Sequence, residues 1–279
     1  MQVKIHTPRQ KDKFRKIFKD IFIGFIEGRD LASRLFIRDV KASYQRSLLG
    51  IFWLFLPALS TAAIWIFLNN QQVVAIMDTP MDYAAFTMCG TIIWSLFAEA
   101  INKPLQRYQG AMGMMGKLNF PRESLILASL YDMLFSLVLK LIVLVPILFI
   151  LGYQPGWSFI PAIGWIIILI ILGMSIGILI SPIGLLYSDI GKALPIVLPF
   201  LMYLTPVIYP LSTKGMLANL QYLNPVTPFL ERARSYIGGY DFVMNDNLWI
   251  WSILTIVMLI VGLVAIRIAM PIIVEKAGS

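Results

Sequence analysis

Lys117 and Lys192 each follow a glycine, the pairing that in a phosphate loop turns backbone amides and an ammonium toward a nucleotide. That loop also needs a glycine five positions upstream and a hydroxyl residue after the lysine. Ala111 and Leu186 stand at the upstream position, and Leu118 and Ala193 follow the lysines. Neither segment holds ATP by that motif, so the energy for any pumping comes from outside this chain, which is expected to carry no cofactor of its own. His6 is the only histidine and Cys89 the only cysteine. A histidine-based metal site or catalytic triad lacks its partners, and no internal disulfide is possible.

The remaining chemistry lies in charges inside apolar stretches, where ionisable groups are costly and mark function by default. Glu99 and Asp132 fall near the ends of such stretches and read as interfacial polar positions. Lys140 is deeper. Snorkelling or pairing with Asp132, two turns below, is one reading of it. Contact with a lipid phosphate is the other.

The elements that position these groups are membrane spans. The 279 residues are 58% hydrophobic and only 14% charged, with mean hydropathy +0.78. Soluble domains carry about 25% charged residues. Six spans are expected, at about 49–69, 84–101, 125–151, 160–187, 193–209 and 248–270, making one transmembrane domain of the whole of 1–279. The fifth is short and broken by Pro195, Pro199 and Pro206, which suits a helix facing protein or a pathway. The first apolar run starts after about 47 residues, too late for a cleaved signal peptide.

Residues 1–28 read as a cytoplasmic tail and 30–46 as an amphipathic helix lying on the membrane face. In the latter, Leu31, Leu35, Ile37, Val40 and Tyr44 recur at helical spacing, with Arg34, Arg38, Lys41 and Arg46 mainly opposite. The 21 residues 48–68 then hold no ionisable group, enough to cross a core of roughly 30 Å at about 1.5 Å per residue. Of the 23 lysines and arginines, 19 fall in 1–49, 102–123, Lys192 and the C-terminal end. The alternate loops hold three, all in 210–247. The positive-inside rule therefore places both termini in the cytoplasm. The +8 net charge reads as orientation toward membrane lipids, with no nucleic acid as partner.

Three further stretches stand out. The loop 110–124 presents Met112, Met114, Met115, Leu118 and Phe120 before Pro121, a methionine-rich surface suited to a partner's groove; an ordinary inter-span loop is the alternative. The segment 210–247 is long and apolar, split by Asn224 and Pro225 and by Thr227 and Pro228. It reads as short re-entrant helices on the outer side or as a structured loop. Gly173, Gly177 and Ser181 repeat every four residues, allowing close helix approach within the chain or at a dimer seam. Aromatic side chains, Phe52, Trp53 and Phe55 in span one with Phe200, Tyr203 and Tyr209 in span five, could stack on sugar rings.

The run RDVKASYQRSLLGIFWLFLPAL, the LNFPRES loop, and TPVIYP followed by LNPVTPFLERAR together resemble the membrane subunit of bacterial type-2 ABC exporters of O-antigen, capsular and teichoic-acid polysaccharides. The likeness runs from about residue 31 to 267. It implies an all-α half-transporter that pairs as a homodimer in the bacterial inner membrane, with two copies of a cytosolic ATPase that bind Mg-ATP. It further implies that 30–46 is an interface helix. A coupling helix made of Gly116, Lys117, Leu118, Asn119, Phe120, Pro121, Arg122 and Glu123 would enter the ATPase. The cargo would be a polymer, O-antigen first, on polyprenyl pyrophosphate or another lipid carrier.

Rival classes are set by what the chain lacks. A membrane transferase wants clustered carboxylates or histidines at one face, and an ATP-independent carrier or flippase wants internal repeats and paired intramembrane charges. Within the family, an exporter of drugs or small lipids is the alternative.

Overall fold

The computed structural model describes residues 10–44, 50–54, 56–71, 78–118, 120–154, 156–212, 214–242 and 248–278. Arg46, Phe55 and Asn119 lie outside the described residues. Among those described, every regular element is a helix. The order is α1 Gln10–Glu27, α2 Arg29–Tyr44, a 3-10 turn Gly50–Leu54, then α3 Leu56–Asn70, α4 Tyr83–Met115 and α5 Glu123–Ile150. α6 Phe159–Leu186, α7 Ser188–Leu204, α8 Gly215–Leu223, α9 Val226–Gly238 and α10 Leu248–Gly278 complete it.

Four helices, α4, α5, α6 and α10, are long and apolar enough to cross a membrane. α3 and α7 are shorter, at 15 and 17 residues. Pro57 sits in the first turn of α3, where its missing N–H costs no hydrogen bond. α7 starts and stops about five residues before the expected span: it begins after extended Tyr187, and it ends where Pro206 biases Thr205 to extended backbone, φ −105° and ψ 143°. α4 departs further. It runs 33 residues, well past residue 101, although Asn102, Lys103 and Arg107 break the apolar pattern there. Acidic partners on neighbouring helices neutralise Arg107, so the helix continues beneath its polar turns.

α6 is the central post, packed against α4, α9 and α10. A Cβ on Gly173 would stand 2.8 Å from the Phe97 carbonyl oxygen, and one on Gly177 would stand 2.3 Å from that of Ile101. Both contacts are to α4. The small-residue repeat therefore serves packing within the chain, where missing side chains let two backbones meet.

The tail expected at 1–28 is instead, over its described part, the 18-residue α1. It buries Ile21 and Gly24 and leaves Phe18, Phe22 and Ile26 exposed. Gly28 joins it to α2 with Ser124 Cβ only 3.0 Å from where a Cβ would lie. α2 forms as expected but turned slightly. Ala32 and Leu35 are buried, and the Phe36 ring meets Tyr131 and Phe135 edge-on at 6.1 and 5.7 Å, while Ile37 is exposed.

Segment 205–242 holds two short helices, α8 and α9, broken at Asn224 and Pro225. Asn224 Oδ1 accepts from the Val226 N–H at 3.0 Å and opens the second helix. α9 is buried along most of its length and α8 mostly exposed.

Candidate functional site

The α4–α5 turn forms one end of the molecule. The described residues of 116–123 do not make a separate helix. α4 runs through Met115, Gly116 and Lys117 turn, and α5 begins at Glu123. Gly116 and Lys117 are exposed, and Leu118 is 60% exposed. Phe120, Pro121 and Arg122 are half-buried, and Glu123 is buried. The methionine surface expected here is not presented outward: Met115 is buried, and Met112 and Met114 pack against the core. Spacing within a loop cannot reveal that the loop's first half is the last turns of a long helix. The apolar tip is Leu118.

This turn is tied to the far end of the chain. Glu123 Oε1 accepts from Arg267 Nη1 of α10 at 2.7 Å, and Arg267 Nη2 stands 3.7 Å from Asp20 of α1. Burial, and then the nearby Arg267 charge, lower the pKa of Arg122. Ser124 Oγ donates to the Pro121 carbonyl at 2.6 Å, and Tyr108 Oη donates to that of Arg122 at 3.2 Å. The turn is therefore tied to α1, α4, α5 and α10.

A second junction joins α2 to the same helices. Arg107 of α4 donates to Asp39 of α2 and to Asp132 of α5. Its side chain is 8% exposed, whereas Arg38 beside Asp39 is 64% exposed. Arg34 and Lys41 are also exposed, giving α2 a cationic outer side. Tyr44 closes the described helix.

Because Asp132 belongs to Arg107, it is not the partner of Lys140. Lys140 Nζ donates instead to Glu99 Oε1 at 2.5 Å and to Ser95 Oγ at 2.9 Å, and Ser136 Oγ donates to Glu99 Oε2 at 2.6 Å. Lys140 is 0% exposed. Glu99 faces it across the α4–α5 contact, a pairing that spacing along either helix alone does not indicate. With its charge engaged and its side chain enclosed, Lys140 offers no free ammonium to a lipid phosphate.

The aromatic residues stand otherwise. Phe52, Trp53, Phe200 and Tyr203 are 43%, 58%, 67% and 48% exposed. Trp65 of α3 lies 6.3 Å from Tyr203 of α7, ring to ring, so these two helices adjoin. Tyr209 is half-buried and donates its hydroxyl to the Tyr203 carbonyl. α7 buries only Leu198 and Met202, leaving an uncovered apolar and aromatic face.

At the opposite end from the α4–α5 turn, the structure assembles a group that sequence reasoning missed. Arg234 is 0% exposed, with its guanidinium carbon 3.7 Å from the Phe86 ring centroid. It donates to the Pro206 carbonyl at 2.5 Å and stands 3.6 Å from Glu231. The absent side chain of Gly90 lets the Val207 carbonyl settle 2.0 Å from where its Cβ would be. Burial raises the pKa of Glu231, against the pull of Arg234 and the Tyr240 hydroxyl. Burial, and then the Glu231 charge, raise that of Tyr240. The signal in the sequence was the i,i+3 pair Glu231 and Arg234 within an apolar helix.

The sequence pattern of the ABC-2 type transporter family matches residues 31–237. An O-antigen export system permease protein RfbA of Klebsiella pneumoniae is 25% identical over 173 residues, 62% of this chain and 66% of that protein. The RfbA of Myxococcus xanthus is 24% identical over 208 residues, 75% and 79% of the two chains. The polysialic acid transport protein KpsM of Escherichia coli is 21% identical over 247 residues, 88% of this chain and 95% of that one.

Proposed function

We propose that this chain, which belongs to the ABC-2 type transporter family, is the permease subunit of a polysaccharide exporter of the inner membrane. The observation that carries the reading is the family match over residues 31–237, with relatives named for export of O-antigen and polysialic acid. ATP is hydrolysed by a separate subunit, in keeping with the broken phosphate-loop patterns at Lys117 and Lys192. In the finer reading, two copies pair, each crosses the membrane six times with α3 and α7 as its shorter spans, and both termini are cytoplasmic. Two ATPase subunits dock below, and the cargo is a polymer on polyprenyl pyrophosphate.

Three features support this arrangement. The exposed Leu118 tip of the α4–α5 turn offers an apolar knob to the ATPase, flanked by Lys117. Movement of that knob reaches α10 and α1 through Glu123, Arg267 and Asp20, and α2 is coupled to α4 and α5 through Arg107. The aromatic faces of α3 and α7 supply stacking surface for a glycan between two copies.

The test is co-purification with an ABC ATPase subunit from the same cell, followed by complementation. A strain lacking the chain and supplied with the wild-type gene should regain surface polysaccharide. A stable complex with Mg-ATP hydrolysis but no restored polymer would move the reading to a drug or small-lipid exporter. No ATPase partner at all would overturn it.

A further inference from the structure

A groove of about 540 Å³ opens at the end of the molecule that holds the start of α4, the end of α7, and α8 and α9. Small-molecule sites run from about 300 to 1,000 Å³, so it has room for a small ligand and not for a folded partner. Its walls combine Tyr222, Tyr240 and Phe242 with the carboxylates Asp78, Glu231 and Asp241. Among the described residues, no lysine or arginine lines it.

Glu231 anchors this wall. Its side chain is 8% exposed, and its Oε2 accepts from the Tyr240 hydroxyl at 3.3 Å. Its Oε1 has no hydrogen bond, although it stands 3.6 Å from Arg234. That oxygen is enclosed and faces the Arg234 charge, so Glu231 shapes the wall, and the acceptors open to the groove are the exposed carboxylates of Asp78 and Asp241. The guanidinium of Arg234 is held behind the wall on Phe86 at 3.7 Å and so keeps Glu231 in place. Arg232 covers one face of the Phe242 ring at 4.7 Å and fixes that side chain likewise.

Aromatic faces beside carboxylate acceptors match one ligand chemistry. A pyranose ring has an apolar C–H face that stacks on tyrosine or phenylalanine and a rim of hydroxyls that donate to carboxylates. A phosphate or pyrophosphate would meet three acidic side chains with no cation among the described lining residues, which like-charge repulsion disfavours. We propose that this groove is a subsite for a neutral or amino-bearing sugar residue of the exported polymer, on the exit side of the permease. The proposal rests on the export reading of the preceding subsection. It separates the two ends of the cargo: glycan here, and the anionic carrier elsewhere.

The test uses the complete transporter, this chain with its ATPase, in lipid nanodiscs. The probe is a set of lipid-free oligosaccharides cut by mild acid from the source cell's own surface polymer and followed by saturation-transfer NMR. The wild type should show transfer that inorganic pyrophosphate does not compete away. A Tyr222→Ala, Asp241→Asn variant, altered at exposed positions, should bind at least fivefold more weakly while basal ATP hydrolysis is unchanged. Glu231→Gln, which keeps the side chain's shape, should also weaken binding. No transfer to the wild type, equal transfer to the exposed-position variant, or competition by pyrophosphate would overturn the groove assignment. Complementation separates the two claims. If the wild-type gene restores no surface polymer, the export reading fails. If it restores polymer while groove variants bind and export as wild type does, only the subsite fails.

Discussion

Arg267, on the last helix of the chain, donates Nη1 to Oε1 of Glu123, the first residue of α5, at 2.7 Å. The pair joins the α4–α5 turn to α10 across 144 positions of the sequence. The Glu123 side chain is 6% exposed and that of Arg267 33%, so the interaction lies between a buried ion pair and a surface one. Removing one partner of a buried pair costs about 3–5 kcal/mol, and an exposed pair contributes up to about 1 kcal/mol. Arg267→Ala should therefore destabilise the chain by about 1–3 kcal/mol, read as a lower melting temperature in detergent. Arg267→Lys should recover part of that loss. An unchanged melting temperature in both variants would mean the pair is not a structural tie.

The exposed tip of the α4–α5 turn should couple without stabilising. Leu118→Asp is expected to leave melting within about 0.5 kcal/mol of wild type, as surface substitutions do, yet to uncouple ATP hydrolysis from export. Phe120→Asp should act differently, because Phe120 packs against the core and a charge there lowers stability. Export at the wild-type level from Leu118→Asp would remove Leu118 as the docking knob.

Lys140 and Glu99 form a pair inside the helical bundle, and each depends on the other. Lys140→Met removes the counter-charge of Glu99, whose side chain is 26% exposed and keeps the Ser136 hydroxyl, and should cost about 1–3 kcal/mol. Adding Glu99→Gln should recover much of it, since replacing both charges of a buried pair is often close to neutral. A double-variant cycle on melting temperature measures the coupling. Additive effects would show that the two residues do not act as a pair.

Gly177 and Gly113 make a matched comparison. A Cβ on Gly177 would stand 2.3 Å from a backbone oxygen of α4, whereas one on Gly113 meets nothing within 4 Å. Gly177→Ala must push two packed helices apart and should cost about 1–3 kcal/mol. Gly113→Ala should be neutral or stabilise α4 by up to about 1 kcal/mol. Thermal melting of the two single variants side by side checks this, and equal melting would show that the α4–α6 contact yields to a methyl group.

Much of this protein is determined by its sequence alone. Long apolar runs with few charges specify helices, because a chain in hydrocarbon must satisfy its own backbone groups. The broken phosphate-loop patterns at Lys117 and Lys192, the exposed cations of α2, the helix break at Asn224 and Pro225, and the shortness of α7 around its prolines are all legible from residue types at short spacing. Each depends on neighbours within a few positions.

Tertiary structure decided what depends on contact between distant segments. Local periodicity suggested Asp132 as the partner of Lys140, but α2 brings Asp39 beside Arg107, Arg107 claims Asp132, and Lys140 turns to Glu99. The same neutralised Arg107 lets α4 continue past its expected end and draws the methionines of 112–115 into a helix, leaving Leu118 as the exposed tip. The tail before residue 28 becomes a helix where α5 and α10 offer a surface for it. Arg234 meets Phe86 and the Pro206 carbonyl there because Gly90, nearly 150 positions away, has no side chain to hold the Val207 backbone off. A buried charge takes whichever counter-charge the packing brings within reach, and sequence order does not encode that distance.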